Sequence, residues 1–169
     1  MWIACKYEEI YAPEIKDFVY ITDNAYEQKD ILELEYDLLK TIEFNVTTPS
    51  TYRFLQRYSK LSEASSKAFN LAWYLIELPL IEYKMLRYKP SLISSAAIFV
   101  AFKLLKKEVK WNEKMMEITS FSEHNIRPWA KDLWILLYGI DKISLKAVKK
   151  KFSDKKYEEV ALVKLNSSG

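Results

Sequence analysis

The run Lys6-Tyr7-Glu8-Glu9-Ile10-Tyr11-Ala12-Pro13-Glu14-Ile15-Lys16-Asp17-Phe18-Val19-Tyr20-Ile21-Thr22-Asp23 reads as a helix end, a break and a short second helix. Lys6 to Tyr11 alternates charge with aromatic and aliphatic residues. Pro13 disfavours helix at Ala12 and offers a preset φ for a new first turn. Glu14 falls in that turn, where a carboxylate suits the positive end of the helix dipole. Phe18, Val19 and Ile21 are expected to bury before Thr22-Asp23-Asn24 turns the chain. Nothing in the stretch is a catalytic pattern. It suits a surface that presents one lysine among aromatics to another protein.

Upstream, Met1 to Tyr11 reads as the last turns of a helix, with Trp2, Ile3 and Ala4 expected to be buried. Downstream, Glu27 to Glu43 has Ile31, Leu34, Leu38 and Ile42 at helical spacing, which predicts one core stripe. Glu35 and Leu39 share a flank of that stripe, with Leu32 beside them. Glu35 is there either an ordinary boundary glutamate or a carboxylate with a task among leucines. Phe44-Asn45-Val46 ends the helix and Thr47-Thr48-Pro49 breaks the chain. Ser50–Tyr58 is a short amphipathic helix, and Lys60 to Ser66 has linker-like composition. A helix from about Glu63 to Leu80 follows, with Phe69, Leu71, Ala72, Leu75, Ile76 and Leu78 as core candidates. Pro79 should kink or break its end, and Pro90 restarts helix at a first-turn position.

Ser91 to Lys106 is apolar nearly all round, with Ser94, Ser95, Ala96 and Ala97 interspersed, which predicts a central helix closely approached by its neighbours. Trp111 to Ile118 forms a shorter helix. Ser122 caps another, running to about Ile140 and bent near its start by Pro128. Ser144 to Phe152 gives one more helix, and the tail from Asp154 is marginal.

Composition narrows the class. Of 169 residues half are hydrophobic and 15% aromatic, so a core is available and wholesale disorder is excluded. Two glycines and five prolines favour helices with short connections over a sheet, which would need more turn residues. A net charge of +3 is not the basic footprint of a dedicated nucleic-acid binder. The single cysteine, Cys5, excludes an internal disulfide and fits a reducing nucleus or cytosol. The apolar run Leu92–Leu105 contains Lys103 and falls short of the roughly 18 residues of a spanning helix. Lys6, Glu8 and Glu9 interrupt any signal-peptide core, so the protein is expected to be soluble and intracellular.

Enzymatic chemistry finds no support. His124 is the one histidine and reads as a surface residue in a first helical turn. With Cys5 it makes neither a zinc cluster nor a nucleophile–base–orienter set. Neither a cofactor nor a metal is expected. Lys146, Lys149, Lys150, Lys151, Lys155 and Lys156 form the one basic cluster, read as a solvated helix face, with phosphate contact as the alternative.

Lys-Tyr-Glu-Glu-Ile-Tyr, the Pro-Glu-Ile that follows and the Phe-Val-Tyr-Ile-Thr-Asp close are similar to the middle of the first cyclin box of A- and B-type mitotic cyclins. Glu35, Phe44, Leu80-Ile81 and Lys89-Pro90-Ser91 fall where that family has equivalents, so the resemblance extends to about Leu165. It implies an all-α fold of cyclin-box helical bundles, an incomplete first box followed by a complete five-helix second box. The expected division is residues 1–60 and 61–165, with a family boundary near 47 as the alternative. Met1 would enter the third helix of the first box part-way. A fragment or a reduced member of the family is therefore expected, without the helix that carries the substrate-docking patch and without the destruction signal. Ala12 departs from the family's usual second proline.

The resemblance further implies a non-catalytic regulator that binds and activates a cyclin-dependent serine/threonine kinase, in nucleus and cytoplasm, with neither membrane nor nucleic acid as partner. The matching lysine and glutamate, Lys6 and Glu35, would grip the backbone ends of the kinase's regulatory helix. Tyr7, Ile10, Leu39, Phe44 and Val46 would pack against its apolar side. The rival readings are a nucleic-acid-bound factor on the same helical fold, such as transcription factor IIB, and a truncated paralogue that activates nothing.

Overall fold

Short polar caps and proline breaks cut this chain into helices, and the computed structural model describes them over residues 1–106 and 111–163. Among the described residues there is no strand. The chain forms two compact units, Met1–Thr48 and Pro49–Gly169.

The first unit holds α1 (Trp2–Glu8), α2 (Ile15–Ile21) and α3 (Gln28–Thr41). Helix α1 stops at Glu8, before Ile10 and Tyr11, because Glu9 turns to extended backbone. Helix α2 begins later than Pro13 predicts. Glu14 is its N-cap, not a first-turn residue, and a capping box joins it to Asp17, whose carboxylate accepts the Glu14 N–H at 2.8 Å. The same device, Glu27 with Asp30, opens α3. The expected burial of this unit fails: no residue of α1, α2 or α3 is buried. Ile21, Leu34 and Leu38 are exposed. The stripe on α3 is real, but it lines an open cleft.

The second unit contains α4 (Thr51–Leu61), α5 (Ser66–Glu77), α6 (Pro90–Leu104), α7 (Glu113–Thr119), α8 (Glu123–Gly139) and α9 (Ala147–Phe152). Helix α4 packs on α5 and α6. The division between units therefore falls at Thr48/Pro49, beside the alternative near 47 and not between 60 and 61. Residues 164 and 165 of the expected second box lie outside the described residues.

Helix α6 is the centre, in contact with α4, α5, α7 and α8. Every residue from Ser94 to Ala101 is buried. Ala96, Ala97 and Ala101 keep the helix thin enough for neighbours on all sides. The two buried serines are satisfied by carbonyls: Ser94 donates to Thr51 at 2.7 Å and to Pro90 at 3.0 Å, and Ser95 donates to Ser91 at 2.9 Å. Pro90 occupies the start of α6 as expected. Pro79 ends α5 by turning the chain into a 3-10 segment, Leu78–Ile81. Helix α8 continues through Pro128 and buries Ile126, Trp129, Ala130, Leu133, Leu136 and Leu137 on one face.

The described part of the tail, up to Val163, holds more structure than its composition predicts. Two 3-10 turns, Lys155–Tyr157 and Val160–Leu162, follow α9 and bury Val160. Lys151 donates to Glu77 at 2.6 Å and lies 4.9 Å from the Trp73 and Phe152 ring centres. Lys149 pairs with Asp141, and Lys146 donates to the Ile140 and Asp141 carbonyls at 3.1 and 2.7 Å. Half of the basic cluster thus fastens α9 to its neighbours, which reduces the positive charge left for phosphate.

Tyr74 of α5 is 1% exposed, and its hydroxyl has no partner among the described residues. Burial, with the Asp141 charge second, pushes it up to about 12. Tyr74→Phe should therefore leave stability at neutral pH unchanged or raise it by up to about 1 kcal/mol, read by urea unfolding. The proton is held longer in the folded state, so the wild type should lose stability as pH rises from about 10. The variant should not share that loss.

Candidate protein-docking surface

Helices α1 and α3 carry the residues expected to form a docking surface. Lys6 lies in the last turn of α1 and pairs with Glu35 in the middle of α3. The Lys6 side chain is 44% exposed and that of Glu35 only 11%. The Trp2 indole N–H donates to the second oxygen of Glu35 at 2.9 Å. The Lys6 ammonium stands 5.0 Å from the Trp2 ring centre, and that ring meets Phe18 of α2 edge-on at 5.3 Å.

Burial pushes the Glu35 carboxyl up, but the hydrogen bonds from Lys6 and Trp2 and the ammonium charge outweigh it, so the group titrates below the ordinary value of 4.5. The folded state accordingly binds fewer protons at Glu35 than the unfolded chain. Its stabilisation should be complete above about 4.5 and be lost as pH falls through the lower folded value. Glu35→Gln should flatten stability against pH in that acid window, as measured by thermal unfolding at stepped pH.

A cleft of about 660 Å³ runs beside the pair, lined by Trp2, Ile3, Ile31, Leu34, Leu38 and Ile42 among others. Of the seven sequence-derived residues, Tyr7, Glu35 and Val46 line it, and Lys6 joins it through Glu35. The Tyr7 hydroxyl bonds the Thr47 hydroxyl at 2.8 Å, tying α1 to the segment after α3. Ile10, Leu39 and Phe44 are not among the cleft residues. Ile10 is 91% exposed. Leu39 lies one turn beyond Glu35 and is half-buried. Its carbonyl accepts the Phe44 N–H at 2.8 Å.

Phe44 is held in a costly way. Glu43 and Phe44 both adopt left-handed backbone, with φ of 52° and 55°. For a bulky side chain that conformation costs on the order of 1–3 kcal/mol, and such strain collects at functional sites. The ring gains no burial in return, being 64% exposed.

The residue that sequence reasoning missed is Trp2, assigned only to a buried helix start. Its spacing from Lys6 is i,i+4, which places indole and ammonium on one helix face, and that signal was present in the chain. Outside this unit, His124 is exposed in the first turn of α8.

The described helices form two all-α units, the first with an open cleft beside the Lys6–Glu35 pair. Residues 1–47 match the family description "Cyclin, N-terminal domain" and residues 49–165 match "Cyclin, C-terminal domain". The chain belongs to the cyclin family. It is 40% identical over 163 residues to a G2/mitotic-specific cyclin-B of Hydra vulgaris, covering 96% of this chain and 45% of that protein. It is 39% identical to one of Patella vulgata, covering 96% and 40%. It is 40% identical over 173 residues to one of Arbacia punctulata, covering 99% and 42%. The chain thus spans less than half the length of these relatives. No described helix is long and apolar enough to cross a membrane.

Proposed function

We propose that this chain is a non-catalytic regulatory subunit of G2/mitotic type that binds and activates a cyclin-dependent serine/threonine kinase in nucleus and cytoplasm. The observation that carries the reading is the Lys6–Glu35 pair at the edge of an open, largely apolar cleft. A lysine offers three donors to the free carbonyls at one end of a helix, and a carboxylate accepts from the free N–H groups at the other. Tyr7 and Val46, which line the cleft, would supply apolar surface beside the two charges, and Ile10, Leu39 and Phe44, which lie outside it, would pack against the partner's apolar side.

Docking would push the kinase's regulatory helix inward, complete the kinase's own Lys–Glu pair and align ATP. The regulator's contribution is differential affinity for the active kinase conformation. The test is activation of purified cyclin-dependent kinases by the chain, with Lys6→Ala and Glu35→Ala singly and together. Loss of binding and of kinase activity in the double variant is expected. Unchanged binding there, with an active wild type, removes the assigned roles.

A further inference from the structure

We propose that Trp2 is a positioning residue: its indole N–H holds Glu35 in place, so that Lys6 can leave that carboxylate for a docked partner. The inference rests on the docking reading and adds a residue and a step to it. The two oxygens of Glu35 are divided between two donors, one to the Lys6 ammonium and the other to the Trp2 N–H at 2.9 Å. These are the groups bonded to the carboxylate among the described residues.

The two donors differ in freedom. Lys6 is 44% exposed on a flexible four-carbon stem, whereas the indole is braced edge-on against Phe18 at 5.3 Å. In the one position it takes, the Lys6 ammonium meets the Glu35 carboxylate and the face of the Trp2 ring 5.0 Å away together, and its exposed stem leaves it free to swing outward. Glu35 is 11% exposed and stays where it is. Were Lys6 its single partner, every departure of Lys6 would leave a mostly buried carboxylate unpaired and oppose docking. The Trp2 N–H removes that opposition. It also fixes which oxygen of Glu35 is released, and so the direction in which a partner's N–H must approach.

Trp2→Phe tests the step because it deletes the N–H while keeping an aromatic ring for Phe18 and Lys6. In the full chain, carboxyl NMR should show Glu35 of the variant titrating higher than in the wild type. Binding to the cyclin-dependent kinase that the wild type activates should weaken about 5- to 30-fold, with the activity of the saturated complex unchanged. A Glu35 titration or a kinase affinity unaltered by Trp2→Phe overturns the proposal. In the unmutated protein the Trp2 indole resonance should shift with the same midpoint as Glu35. An indole resonance blind to that titration also overturns it, and requires no folded variant. If the wild type activates no kinase, the docking reading falls by itself, while the two titrations still decide what Trp2 does to Glu35.

Discussion

Trp129→Ala is expected to lower the unfolding free energy by about 3–5 kcal/mol. Trp129 is wholly buried on the inner face of α8, and the ring of Tyr88 meets it edge-on at 5.6 Å. Ile126 and Leu133 flank it on the buried face of α8, which packs on the central α6 in one core cluster. Little relaxation is available, so most of the cavity should remain open. The indole N–H has no partner among the described residues, so the cost is packing and not a lost hydrogen bond. Trp129→Phe should accordingly cost distinctly less. Urea unfolding followed by far-ultraviolet circular dichroism would measure both, and equal losses in the two variants would contradict the packing account.

On the docking function proposed above, Glu35→Ala is expected to weaken kinase binding by about 2–5 kcal/mol, with Lys6→Ala nearer the lower figure. The order follows from exposure. Glu35 is the more buried member, so removing it strips the acceptor from a site that water reaches poorly and leaves the Trp2 N–H without its carboxylate. Lys6 is nearly half exposed, and water can replace part of what it offers. Titration calorimetry of each variant against the activated kinase reads the difference directly. Salt dependence gives a second check: the Lys6 contribution should shrink with ionic strength more than that of Glu35. A larger loss for Lys6→Ala would mean that the lysine, not the carboxylate, is the anchored group.

Two separate signals had set Lys6 and Glu35 together, and the structure pairs them. Spacing put Glu35 among leucines, and the resemblance on Lys6-Tyr7-Glu8-Glu9 gave it a companion. Periodicity could not give the exposure of the stripe around it. Ile31, Leu34, Leu38 and Ile42 recur as a core face does, yet they line an open cleft. An apolar stripe marks a face that is stable when covered, and says nothing of what covers it. The strain at Phe44 was hidden for a different reason. A run Glu43-Phe44-Asn45 carries no glycine to advertise left-handed backbone, and the helix end imposes it through the Phe44 to Leu39 bond.

The second unit shows the same division. Its helices were readable because Pro79, Pro90, Ser122 and the runs between them act locally, through lost N–H groups and side-chain caps. The all-round apolar character of Ser91 to Leu105 fixed α6 as the centre, since no exposed position would tolerate it. Which polar groups are satisfied could not be fixed that way. Lys151 meets Glu77 across 74 residues of chain, and Glu35 meets Trp2 across 33. By itself, then, the sequence determined an all-α chain, its helix breaks and its central helix, because these follow from local chemistry and periodicity, while its family came from the resemblance of its motifs. Tertiary structure alone decided that the basic cluster is partly spent on internal pairs, that the Tyr74 hydroxyl is buried with no partner among the described residues and that Trp2 stands beside both Lys6 and Glu35. Those outcomes depend on distances between residues far apart in the chain, which spacing does not encode.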